Sequence, residues 1–111
     1  MVELNVIFEI LSNERRRYMI YYLFEQDRPV SVAEVIEIIH QWEDDPPSLG
    51  EEWDRIDNLQ LELEHQHLPK TAQVEFIEYL PDERTIQVQS TSPEIDALVT
   101  IARIIERPES K

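Results

Sequence analysis

Cysteine is absent from the 111 residues, which excludes disulfides and thiolate metal sites. Glycine occurs once, at Gly50, so no glycine-rich loop is available to cradle the phosphates of a nucleotide. Lysine occurs only at Lys70 and Lys111, leaving arginine to supply the other cations. No apolar run comes near the roughly 20 residues that a membrane helix needs. The N-terminus also lacks the basic start and apolar core of a secretory leader, so the expected location is cytoplasmic.

What is abundant is carboxylate. Twenty-four acids stand against 10 bases, for a net charge of -14. Such a lysine-poor, carboxylate-rich composition looks like that of proteins from salt-loving archaea. In about 1 M salt the screening length is about 3 Å, which extinguishes most long-range repulsion from DNA. An apolar content of 41% over 111 residues fits one domain, 1–111, with a real core. It is small enough that a dimer interface would add useful burial.

The longest helical pattern runs from Ser48 to Lys70. Trp53, Ile56, Leu59 and Leu63 recur at spacings of three and four and form one apolar stripe. Ser48 and Glu51 have capping-box spacing, and Pro69 is expected to end the helix by disfavouring helical geometry at Leu68. Between Ser48 and Pro69 it carries Glu51, Glu52, Asp54, Asp57, Glu62 and Glu64 against the single base Arg55. Residues 43–64 hold nine of the 24 acids, a concentration beyond what general salt adaptation explains.

Upstream, Val2 to Leu11 predict a first helix over about 3–11. Ser12 or Asn13 can cap a second over 14–26 that turns Met19, Ile20 and Leu23 inward. Arg15, Arg16 and Arg17 fill its first turn, where cations oppose the helix dipole. They either meet phosphate or neutralise nearby carboxylates. Ser31 and Glu34 predict a capping box for a third helix, Val32 to about Trp42, whose N-terminal amides could seat a phosphate. An acidic connector, Glu43 to Pro47, follows. Downstream, Val74, Phe76 and Tyr79 and then Thr85 to Gln89 alternate as a two-stranded hairpin with a turn at Pro81, Asp82 and Glu83. Ser92 and Pro93 begin a last helix over 93–107, in which Ile101 and Ile104 widen the apolar band.

The fold expected from this order is mainly α with a small β-hairpin: a winged helix-turn-helix with flanking helices at 1–11 and 92–107. The stretches LSNERRRYMIYYL (Leu11 to Leu23) and HLPK (His67 to Lys70), with the hairpin after them, resemble a haloarchaeal family of winged-helix domains taken to regulate transcription. The resemblance covers roughly Ile10 to Val88. It departs from the family pattern at Asp57, Asn58, Thr71 and Glu75.

Two functions follow. The first is a dimeric DNA-binding transcriptional regulator. Arg55, Asn58, Gln60 and Glu62 would face the major groove, Arg84 would mark the wing tip, and Arg15, Arg16, Arg17, Ser31 and Lys70 would meet the backbone. Carboxylates can accept from cytosine amino groups, so an acidic helix is compatible with base reading. The dimer contact is expected at Leu4, Ile7, Ile95, Leu98, Val99, Ala102 and Ile105. The second is a protein-interaction module with an acidic, DNA-like face and no DNA affinity. His65 and His67 lie about 200° apart on a regular helix and so cannot share a metal, even with His40 as a third candidate ligand. No carboxylate pair stands in a catalytic motif, so neither an enzyme nor a cofactor is expected. The aromatic run Tyr18, Tyr21, Tyr22 and Phe24 is read as packing.

Overall fold

The computed structural model describes residues 4–26, 28–43, 58–71, 76–89 and 91–108. Helix α1 spans Leu4–Leu11 and α2 spans Glu14–Glu25. Asn13 rather than Ser12 caps α2. Its side-chain oxygen accepts from the amides of Arg15 at 3.0 Å and Arg16 at 3.2 Å, satisfying two donors that have no intrahelical partner. Strand β1 is Val30–Ser31 and runs straight into α3, Val32–Trp42. The Ser31 hydroxyl accepts from the Glu34 amide at 3.1 Å. The expected capping box closes on that side only, because the Glu34 carboxylate takes bonds from Arg28 and Tyr22 instead.

Helix α4 occupies residues 58–71, with a wide π-helical turn at Leu63–His67 and a last segment Leu68–Thr71. Pro69 therefore does not end the helix as expected. The wide turn has already interrupted the regular hydrogen-bond ladder, and Pro69 lies in the first turn after it, where a missing N–H costs least. The expected cap Ser48 with Glu51, the stripe residues Trp53 and Ile56, the connector beyond Glu43 and Val74 lie outside the described residues.

Strands β2, Ile77–Leu80, and β3, Thr85–Val88, pair antiparallel, with Tyr79 opposite Ile86 and Ile77 opposite Val88. The strand phase differs from expectation. Phe76 is buried in the turn before β2, and Ile77 and Tyr79 share a face of the sheet with their cross-strand partners Val88 and Ile86. The sheet is also wider than the expected hairpin, since β1 pairs antiparallel with β3 and gives the order β1-β3-β2. Val30, fully buried, sits opposite Ile86 there. A strand of two residues, the second of which is also the helix cap, carries no alternation by which it could be recognised.

Helix α2 is the hub, packing on α1, α3, β3 and the last helix, α5, Pro93–Glu106. Burial of Tyr18, Met19, Ile20, Tyr21 and Leu23 on successive positions fits a helix enclosed on nearly all sides. Tyr18 meets Trp42 edge-on at 5.8 Å, and Phe24 meets Phe76 at 6.0 Å, so the aromatic run is packing. The fold is mainly helical with a small antiparallel sheet. None of the described helices is long and apolar enough to cross a membrane.

The flanking helices correct the expected dimer contact. Ile7 and Val99 are buried in the chain's own core, and Ile95, Leu98 and Ala102 are half-buried around it. Leu4 and Ile105 are exposed, together with Phe8, Ile101 and Ile104. The reason is rotational: residues 95, 99, 102 and 106 share the side of α5 that faces α2, which turns 97, 101 and 104 away.

Candidate nucleic-acid interface

The site is built on α4 where it crosses the start of α2. Leu59, Leu63 and His67 are buried at spacings of four. On a regular helix that spacing drifts by about 40° per step. The wide turn at Leu63–His67 offsets this drift and keeps His67 on the inward side, 1% exposed, while His65 is exposed on the other.

His67 closes a polar chain beneath the helix. Its Nε2 lies 2.7 Å from Oε1 of Glu62, and its Nδ1 lies 3.4 Å from the Arg16 guanidinium. A neutral ring protonated on Nε2 satisfies both contacts, donating to the carboxylate and accepting from the arginine; this tautomer is assigned from the network. Burial holds the His67 pKa below its ordinary value, outweighing the opposing pull of Glu62. Glu62 also accepts from Arg15, whose Nε donates to Glu43 at 2.6 Å. Burial lowers the Arg15 pKa, but Glu43 and Glu62 together raise it above the ordinary arginine value.

The three consecutive arginines are therefore turned to carboxylates and carbonyls of their own chain. Arg16, 6% exposed, donates to the carbonyls of Ile10 at 3.0 Å and Glu9 at 3.1 Å, closing the end of α1. Arg17 grips both oxygens of Glu106 at 2.9 Å, beside a bond from the Tyr21 hydroxyl. Burial, then Glu106, pushes the Tyr21 pKa well above the tyrosine range. The expected phosphate role of Arg15, Arg16 and Arg17 is corrected accordingly. A guanidinium seated on carbonyls or on a bidentate carboxylate would have to break those bonds to reach a phosphate.

Glu62, expected to face a groove, likewise points inward. Glu64 pairs with Arg84 in the β2–β3 turn, tying the middle of α4 to that turn. Arg84 is exposed, has a left-handed backbone with φ 52°, and donates its amide to the Pro81 carbonyl at 3.2 Å. Its own carbonyl accepts from the Val32 amide at 3.0 Å, which anchors the turn to the start of α3. Lys70 pairs with Glu9. Ser31 is exposed but spends its hydroxyl on the cap. Arg55, Glu52 and Asp57 lie outside the described residues.

What remains outward on the described part of α4 is Asn58, Leu61, His65 and Gln66, with Gln60 half-buried beside them. This surface offers amide and imidazole groups and one exposed leucine, with no carboxylate outside an ion pair: both acids of the segment, Glu62 and Glu64, are engaged. The sequence drew attention to the acids of this helix, weighed His65 only as a metal ligand and gave Gln66 no role. The spacing of Leu59, Leu63 and His67, which turns Leu61, His65 and Gln66 outward, was the available signal.

A family profile described as a domain of unknown function (DUF7344) matches residues 8–87, from the middle of α1 into β3. No curated protein and no solved structure matches the chain. With that profile extending over most of its length, the chain belongs to the DUF7344 family.

Proposed function

We propose that the chain is a winged-helix DNA-binding domain that regulates transcription in a salt-rich cytoplasm, with α4 entering the major groove and the β2–β3 turn as the wing. The observation that carries this reading is the outward face of α4, where Asn58, His65 and Gln66 can bond base edges and Leu61 can meet a thymine methyl. The order α2, β1, α3, α4, β2, β3 and the strand order β1-β3-β2 agree with it. So does the resemblance of Leu11 to Leu23 and His67 to Lys70 to the haloarchaeal winged-helix domains. Arg84 is the backbone contact, exchanging Glu64 for a phosphate.

Mobility shifts on genomic DNA fragments across a KCl series test it. The wild type should bind at low salt and lose affinity as KCl rises. His65→Ala with Gln66→Ala should flatten preference among fragments, and Arg84→Ala should weaken all of them alike. Glu52→Lys with Asp57→Lys should strengthen binding with a steeper salt slope. A wild type that binds no fragment at any salt overturns the proposal.

A second reading has its own observation. Arg15, Arg17, Arg28, Lys70, Arg84 and Arg103 each pair with a carboxylate of this chain. A domain with these six cations neutralised from within suits a protein partner that recognises acidic surface. DNA binding by the Lys variant alone would favour this reading.

A further inference from the structure

We infer that α5 pairs with the α5 of a second copy, antiparallel about a two-fold axis, through the face it turns away from its own core. On this 14-residue helix, about 21 Å long, the inward side is taken up by Ile95, Val99, Ala102 and Glu106, the last clamped by Arg17 and Tyr21. The opposite side carries Ala97, Ile101 and Ile104, all exposed, at the four-then-three spacing by which one helix interlocks with another. Ile105 lies at its margin and is 78% exposed, the highest value among the exposed large apolar side chains of the described residues. Three isoleucines on one side of one helix form a continuous patch rather than scattered apolar residues, which is the signature of an interface.

Charge decides the occupant and the direction. The outward stripe begins at Glu94 and ends at Arg107, both exposed. Arg107 adopts a left-handed conformation, φ 48°, and its amide bonds the Arg103 carbonyl at 2.7 Å, which terminates the helix there. A second α5 laid antiparallel sets Ala97 opposite Ile104, Ile101 near the two-fold axis, and Glu94 opposite Arg107 at both ends of the contact. A parallel partner would set Glu94 against Glu94 and Arg107 against Arg107. One surface that is self-complementary in both shape and sign specifies a copy of itself. Helix α1 lines a small apolar cavity with α5 and exposes Leu4 and Phe8, so the flank of the pair is apolar too. The pairing is independent of the DNA reading: a monomer that binds DNA would remove the first and leave the second.

The absence of cysteine supplies the test. In a single-cysteine series under mild oxidation, Ile101→Cys should cross-link with itself. Ala97→Cys and Ile104→Cys should each stay uncross-linked alone and cross-link when mixed. Sedimentation in concentrated KCl should give a dimer for the wild type at micromolar concentration. Ile101→Glu with Ile104→Glu should give a monomer whose circular dichroism is unchanged, since both positions are exposed. Arg107→Glu should weaken the dimer about tenfold or more, and adding Glu94→Arg should restore it. A wild-type monomer at those concentrations, or self-cross-linking at all three cysteine positions, overturns the inference.

Discussion

His67 shows how one side chain can make a fold sensitive to pH. The ring is buried between Glu62 and the guanidinium of Arg16, with Arg15 on the far side of Glu62. Its folded pKa is depressed from the ordinary 6.5, chiefly by burial. The unfolded chain therefore takes up a proton before the folded one does. Stability is present above about 6.5 and is lost as pH falls from there through the depressed folded value. Denaturant titrations at closely spaced pH values should show a fall beginning near 6.5. His67→Gln, which keeps a donor for Glu62 and an acceptor for Arg16, should remove that part of the slope. An identical slope in the variant would mean that carboxylates account for the whole fall. Arg84 offers a second test at this scale. A left-handed backbone disfavours any side chain bearing Cβ by about 1 kcal/mol, and Gly relieves that cost. Arg84→Gly should therefore melt higher than Arg84→Ala, both having lost the Glu64 pair. Equal melts would show that the turn relaxes out of that conformation.

Among the elements, α2 and α4 are set by different physics. Helix α2 begins where Asn13 takes two amides and continues because nearly every side is buried. The dipole penalty of three arginines in its first turn is offset by the bonds they make to Glu43, Glu62, Glu106 and the last carbonyls of α1. Asn13→Ala should cost about 1 kcal/mol, read as a lower denaturant midpoint with an unchanged slope. Helix α4 follows its buried side chains instead. The wide turn at Leu63–His67 puts both ends of that pentad inward, and Pro69 is accommodated directly behind it. Helix α5 is tied to α2 by Glu106 and by Arg103, which pairs with Glu25 and lies 5.8 Å from the centre of the Trp42 ring. Glu106→Ala should cost about 2 kcal/mol, because it leaves a half-buried Arg17 and the Tyr21 hydroxyl without their partner. Thermal melts of the variant beside Glu106→Gln, which retains one acceptor, measure it.

For the whole molecule, the balance of -14 sets self-repulsion of the compact state against a set of internal ion pairs. Exposed pairs contribute about 0–1 kcal/mol each and weaken with salt, and the half-buried ones around Arg15 and Arg17 are screened less. Repulsion should therefore win, and the melting temperature should rise from dilute to concentrated KCl. A lower midpoint at high salt would assign the larger role to the pairs. Sequence alone determined what depends on neighbours along the chain: the caps at Ser31 and Ser92, a cap for α2 at either Ser12 or Asn13, the extent of α3, the inward residues Met19, Ile20 and Leu23, and the turn beginning at Pro81. These are contacts between residues a few positions apart, and composition and spacing report them directly. Only the tertiary structure decided the rest. Pairing of β1 with β3 joins residues more than 50 positions apart, a meeting that two residues cannot announce. Whether Arg15, Arg16 and Arg17 meet phosphate or carboxylate depends on where Glu43, Glu62 and Glu106 arrive in space. The broad apolar band of α5 likewise holds two faces, and its packing on α2 chose which one stays outside, because a helix can turn only one side toward a given neighbour.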